Sequence, residues 1–260
     1  MSALYYCRQT TTACKGIPYP SKTHPYRYGT SGCVYTSGCG VCASLMALRN
    51  STTRVFNTRQ WTHRCLGMGA RAAEGTDMAV VARYMKEKYG LDYAITTDMD
   101  RLVAHLKQGY KAIINVSGGG KMLFSNSGHY VLAAGIDKNG NLIILDPYWY
   151  DGKFTLTAAR RKYTRVKNGR EVYVRPADLK GDVLSLWLFT PKRDVRLAYS
   201  VNDIHYRKSA PTAPTVKPGT YYLTAVRGIY KGAGAASGRK PVGKMTENAK
   251  AHATESHPNA

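Results

Sequence analysis

Cys39 lies in Ser37-Gly-Cys-Gly-Val-Cys42, where Val41, Cys42, Leu45, Met46 and Leu48 begin to recur at helical spacing. A thiol at a helix N-terminus has its thiolate favoured by the unsatisfied N–H groups and the dipole of that end, and small neighbours leave it approachable. His129 opens a strand-like run in Ser127-Gly-His-Tyr-Val131, and Asp146 closes the next one in Ile144-Leu-Asp-Pro147. In an antiparallel hairpin the start of one strand and the end of the following strand share one end of the sheet, so His129 and Asp146 can meet. A carboxylate on one ring nitrogen fixes the imidazole tautomer, and the other nitrogen can take the proton of a Cys nucleophile. Each residue has a plainer reading alone: a small buried Cys, a surface or capping His, an Asp-Pro turn. Together they point to nucleophilic thiol chemistry.

A metal site is the competing chemistry, because Cys39, Cys42, His63 and Cys65 are four ligands of the types zinc prefers. Read that way, the chain would be a basic zinc module suited to nucleic acid. Against it stands the helical run after Cys42, which occupies the place of a knuckle turn. A zinc-deaminase pattern is absent, since no His-x-Glu precedes a Pro-Cys-x-x-Cys. The run Gly118-Gly-Gly120 lacks the Gly-Lys-Ser/Thr ending of a phosphate loop and is expected to form a flexible lid before His129. No metal or cofactor is called for.

The elements that must position these residues are legible in part. The spacing predicts a buried helix over Gly40–Arg49, a second over Thr76–Tyr89 stopped by Gly90, and a third starting near Asp98 and ended by Gly109. Strands are expected at Lys111–Val116, His129–Ile136, Asn141–Leu145 and Val183–Phe189, with a hairpin turn at Asp137–Asn141. The stretch before Gly38 reads as loops with at most one short strand. Helices first and strands after give an α+β class with an antiparallel sheet.

Four segments carry a resemblance: Pro18-Tyr-Pro-Ser-Lys-Thr-His-Pro-Tyr-Arg-Tyr-Gly29, Ser37-Gly-Cys-Gly-Val-Cys-Ala-Ser-Leu-Met-Ala-Leu48, Ser127-Gly-His-Tyr-Val-Leu-Ala-Ala-Gly135 and Ile143-Ile-Leu-Asp-Pro-Tyr148. In this order they resemble papain-like cysteine peptidases of the bacteriocin-leader-processing type, most of all the stand-alone, phage- and Firmicutes-associated endolysin-like branch, over roughly residues 15–190. The resemblance implies a papain-like fold with Cys39 as nucleophile, His129 as general base and Asp146 as its orienter. It also implies a Gln upstream of the Cys as oxyanion donor beside the nucleophile's own N–H. The matching position holds Lys22, flanked by Ser21 and Thr23, and a Lys or a hydroxyl can donate to an oxyanion; Gln9 lies outside the matching segment. The missing Gln is also the one hint of a non-catalytic binding module on the same fold.

With 38 Lys+Arg against 16 Asp+Glu the formal charge is +22, and 43% of the residues are hydrophobic. That composition supports a folded core rather than full-length disorder, and the charge favours an anionic partner. All six cysteines fall at or before Cys65, unlike a disulfide scaffold. No window is a membrane span, and the N-terminus has no secretory signal, so the chain is expected to be made in the cytoplasm and to act at the bacterial wall after release. Residues 1–200 are expected to be the peptidase domain, 201–218 a Pro/Thr linker, and 219–260 a short basic β-rich segment similar to the opening of an SH3-type wall-binding module. The basic run Arg160–Arg165 reads as a solvated face for a polyanion. The expected activity is hydrolysis of an amide bond in peptidoglycan by a monomer, with teichoic acids as a further partner and nucleic acid disfavoured. Leader-peptide or general proteolysis is the alternative.

Overall fold

The structure, a computed structural model, describes residues 4–192, 219–224, 228–231 and 243–245, and the chain divides into two compact units, Met1–Arg207 and Lys208–Ala260. In chain order the first unit contains α1 (Thr12–Lys15), α2 (Val34–Ser37), α3 (Cys39–Ser51), α4 (Thr58–Gly67), α5 (Met78–Tyr89), β1 (Leu91–Thr96), α6 (Met99–Lys107), β2 (Lys111–Val116), β3 (His129–Ile136), β4 (Leu142–Leu145), α7 (Ala158–Tyr163), β5 (Thr164–Lys167), β6 (Glu171–Val174), α8 (Pro176–Leu179) and β7 (Val183–Pro191). The strands form one seven-stranded sheet in the order β1-β7-β2-β3-β4-β6-β5, with every pairing antiparallel. The α+β expectation holds.

The central strands are apolar on both sides because both faces of the sheet are covered. Ile113, Leu132 and Ala134 pack with α3, α4 and α5 in one hydrophobic cluster, while Ala112, Ile114, Val131 and Ala133 pack on the other face with Met99, Leu102 and Leu106 of α6 and with Leu123 and Phe124. A strand covered on both faces reads as a continuous apolar run, which is why β2 and β3 stand out in the sequence. Helix α3 is buried almost along its whole length and packs against β3 and β2.

Local chemistry fixes the helix ends. Asp77 caps α5 by accepting from the N–H groups of Ala79 and Val80, and Asp98 does the same for α6 through Asp100 and Arg101, each satisfying donors that a helix start leaves unpaired. The hairpin turn between β3 and β4 closes on Asp137, whose Oδ1 accepts from the N–H of Asn139 and of Asn141.

Several elements were not expected. Helix α4 buries only Trp61, Thr62 and Cys65, too few for a clear apolar stripe, and it starts from an Asn57–Gln60 capping box. The strands β1, β5 and β6 are edge or near-edge strands with partly exposed patterns. Before Gly38 the chain forms the helical turns α1 and α2 and an isolated bridge between Pro18 and Cys33 rather than a strand.

The second unit contains β8 (Gly219–Thr224), β9 (Gly228–Lys231) and β10 (Gly243–Met245), paired antiparallel in the order β10-β8-β9. The expected linker at 201–218 lies outside the described residues. No helix among the described residues is long and apolar enough to cross a membrane.

Candidate active site

Cys39 is the first residue of α3, so its backbone N–H is among those that a helix leaves without an intrahelical partner. It is the one cysteine of the six that is not buried. His129 is the first residue of β3 and sits opposite Val116 of β2, 6% exposed. Because α3 packs against β3, the thiol and the imidazole come close enough for each to shift the other's titration. On its far side the ring is held by Asp146, with Nε2 2.7 Å from Oδ1, which leaves Nδ1 for the thiol. The hairpin geometry read from the sequence therefore places His129 and Asp146 together.

Asp146 is fully buried and its oxygens are all engaged. Oδ1 also accepts the N–H of Tyr148 at 2.9 Å, Oδ2 accepts from Nζ of Lys153 at 2.6 Å, and the backbone carbonyl accepts from the hydroxyl of Tyr6 at 2.7 Å. The ring of Tyr148 stands edge-on to His129, with centroids 6.4 Å apart.

The electrostatics follow from these contacts. Burial alone would push the Cys39 thiol up, but the hydrogen bond and charge of His129, with backbone N–H groups at Tyr130 and Gly40, bring it below the ordinary thiol value. Burial would lower His129, yet the charge and hydrogen bond of Asp146, aided by Cys39, raise it to about 9. Asp146 is pushed up by burial and brought below the usual carboxylate range by Lys153 and His129. Cys42, one turn further along α3, shows what burial does unopposed, since its thiol is driven well above the ordinary value by desolvation and by Cys7. These shifts favour the deprotonated form of Cys39 and the protonated form of His129.

Lys22 is exposed on a turn whose neighbours Ser21, Thr23 and His24 bond to the carbonyl of Ala73. It is Gln9 that the structure puts against the site: 2% exposed, its N–H bonded to the carbonyl of Pro147 at 2.8 Å and its Nε2 to the carbonyl of Tyr35 in α2 at 3.1 Å. Gln9 therefore bridges the helical turn just before Cys39 and the residue just after Asp146. An amide nitrogen has two protons, so a second N–H of Gln9 remains beyond the one given to Tyr35. Lys22 lies within the stretch between Pro18 and Cys33, which an isolated bridge closes.

Two further expectations change. The segment before His129 is not a free lid. Buried Asp182 accepts the N–H groups of Met122 and Leu123 at 3.1 and 2.9 Å, Arg160 donates to the carbonyl of Met122, and Met122 is held in the left-handed region at φ 55. A Cβ on Gly118 or Gly120 would collide with Asn126 or with Asp182, so both positions are closely packed glycines. Nor is the basic run uniformly solvated: Arg160 is 7% exposed and also donates to the carbonyl of Lys153, tying the loop before His129 to the turn after Asp146. Among the described residues no three His, Cys, Asp or Glu side chains gather as metal ligands would. His63 is exposed on α4 while Cys42 and Cys65 are buried, so the zinc reading does not hold for them.

Helices packed on an antiparallel sheet, with a thiol at a helix start near an imidazole that a carboxylate holds, suit a cysteine peptidase. The chain belongs to the Peptidase_C39 like family, whose model matches residues 14–171, more than half of its length. No curated protein matches the chain.

Proposed function

We propose that the protein is a peptidoglycan hydrolase of the endolysin type, cutting an amide bond in a stem or cross-bridge peptide through Cys39, His129 and Asp146. The observation that carries the catalytic part is that Cys39, the one cysteine of the six that is not buried, lies where it and His129 shift each other's titration, and that His129 is bonded to the buried Asp146. In the reaction, Sγ of the thiolate attacks the amide carbonyl carbon. The resulting oxyanion receives hydrogen bonds from the N–H of Cys39 and the second amide N–H of Gln9. His129 gives its proton to the leaving amine, a thioester forms, and the neutral imidazole then takes a proton from the water that hydrolyses it. Asp146 holds the ring and supports the imidazolium throughout.

The wall substrate is supported by the net charge of +22, which favours a wall carrying teichoic acids, and by the short basic second unit with its three strands. In this reading the protein is made in the cytoplasm, acts as a monomer and reaches the wall after release. The test is mass spectrometry of soluble fragments from purified Gram-positive peptidoglycan treated with wild type and with Cys39→Ala. New amine termini are expected with wild type alone, and their position identifies the bond. No release from wall, together with cleavage of a Gly-Gly leader peptide, would overturn the wall substrate and keep the peptidase.

A further inference from the structure

Nothing in the sequence singles out Lys153, yet its side chain is 2% exposed and points at the back of the catalytic line. It opens a short helical turn, Lys153–Thr155, entered through Gly152 in a left-handed conformation at φ 78. Nζ donates to Asp146 Oδ2 at 2.6 Å and to the carbonyl of Tyr148 at 2.8 Å. The rings of Tyr148, Phe154 and Tyr150 lie 5.4, 5.7 and 6.0 Å from it. A buried ammonium is costly unless paired and bonded, and this one is paired with the carboxylate that orients His129.

The two oxygens of Asp146 are thus divided between two cations. One faces the imidazole that must carry and release a proton, and the other faces Lys153, whose charge burial disfavours and Asp146 supports. With Oδ2 taken, the carboxylate cannot rotate away from His129, and its negative field at the imidazole is partly offset. We propose that Lys153 is a positioning residue, which locks Asp146 in the orientation that serves His129 and sets how tightly the Cys39–His129 pair holds its proton. This rests on the Cys39–His129–Asp146 reading above. The charged and ionisable groups facing the ion pair are His129 of β3, Cys39 of α3, Tyr6 of the N-terminal segment, Tyr148 and Tyr150 after β4, and Arg160 of α7, whose guanidinium is bonded to the carbonyl of Lys153.

A cation near the site favours the deprotonated form of every neighbour, so its removal moves their titrations upward. The readout is the rate of Cys39 alkylation by iodoacetamide against pH, with the labelled site identified by peptide mass, in the full-length wild type, Lys153→Met and Lys153→Arg. This needs no wall substrate. The rise in rate that marks thiolate formation is expected about one pH unit higher in Lys153→Met, and within a few tenths of a unit of wild type in Lys153→Arg, which restores the charge. Where Lys153→Met does not fold, by near-ultraviolet circular dichroism, Lys153→Gln removes the charge with a donor retained and must show the same shift.

A superimposable profile in the charge-removing variant, with a lower melting temperature alone, would show a structural lysine and overturn the proposal. An ordinary thiol titration in wild type would overturn the Cys39–His129 pairing itself and the Lys153 role with it. The two failures are therefore distinct.

Discussion

His129 on the sheet and half-buried His105 on the helix packed against it have proton affinities that move in opposite directions. His105 of α6 places Nε2 3.3 and 3.1 Å from the carbonyls of Lys111 and Phe189. Burial lowers its pKa by more than those two acceptors restore. His129 is at least as deeply buried, yet it rises to about 9 because Asp146 faces it. The basic residues beside them both move down, with different opposition. At the end of β2 away from His129, Lys111 is 5% exposed, donates to the carbonyl of Gly109 at 2.8 Å and is pushed down to about 8 by burial alone, whereas burial lowers Lys153 against the charge and hydrogen bond of Asp146. Burial by itself favours the neutral form of a base. What separates the candidate active site from the rest of the core is one fully buried carboxylate shared between two buried bases.

The largest effect should follow from removing that carboxylate. Asp146→Ala leaves Lys153 buried without its partner and His129 without its orienter, so activity is expected to fall by about 10³–10⁴-fold and stability by roughly 3–5 kcal/mol. His129 should then behave as His105 does, titrating below 6.5 in NMR spectra, and a His129 that still titrates near 9 would break the comparison. In wild type the imidazolium is lost as pH passes about 9, so the alkaline limb of activity belongs there. The sign for stability follows from the same shift. A histidine whose pKa is raised on folding contributes stability that is complete below its unfolded value near 6.5 and is lost as pH rises through about 9.

How much of this was readable in the sequence depended on whether a residue's partner was local. Helix α3 and strands β2, β3 and β4 carry their own apolar runs and turn residues, and the Asp137–Asn141 turn closes the hairpin that brings His129 to Asp146. Gln9 and Lys153 had no such signal. Gln9 reaches the site across the fold, through contacts to Tyr35 and Pro147, and Lys153 is one cation among many in a chain with 38 Lys and Arg. Arg160 was hidden in the same way, inside a basic run whose charge suggested solvent, although its guanidinium is bonded to two main-chain carbonyls. The strands β5 and β6 are four residues each and pair at the edge of the sheet, where one covered face leaves too short an alternation to recognise.

The far end of the sheet sharpens the comparison with the opposite sign. Replacing Lys111 by Met removes a buried charge rather than exposing one. A fall from 10.5 to about 8 corresponds to about 3 kcal/mol of cost at neutral pH, and losing the bond to Gly109 returns about 1 kcal/mol of it. Lys111→Met should therefore raise stability by about 2 kcal/mol at pH 6.5. Because the lysine's pKa is lowered on folding, its cost is complete below about pH 8 and disappears as pH rises to 10.5, and the variant's advantage should fade over the same range. Urea unfolding at pH 6.5 and at pH 10 measures both values, and an equal advantage at the two would show that packing, not charge, produced it.

The smallest effect is expected where charges meet in water. Lys86 and Asp92 approach to 2.8 Å with side chains 50% and 48% exposed, nearly as close as the buried pairs of Asp146. Solvent screens the attraction, and holding two long side chains in one geometry costs conformational entropy. Lys86→Ala should leave the urea midpoint where it is, at low salt and at 1 M salt alike. A clear loss that vanished in high salt would show that an exposed pair contributes as the buried one does, and the contrast between the Asp146 network and the rest of the sheet would then rest on position in the fold rather than on burial.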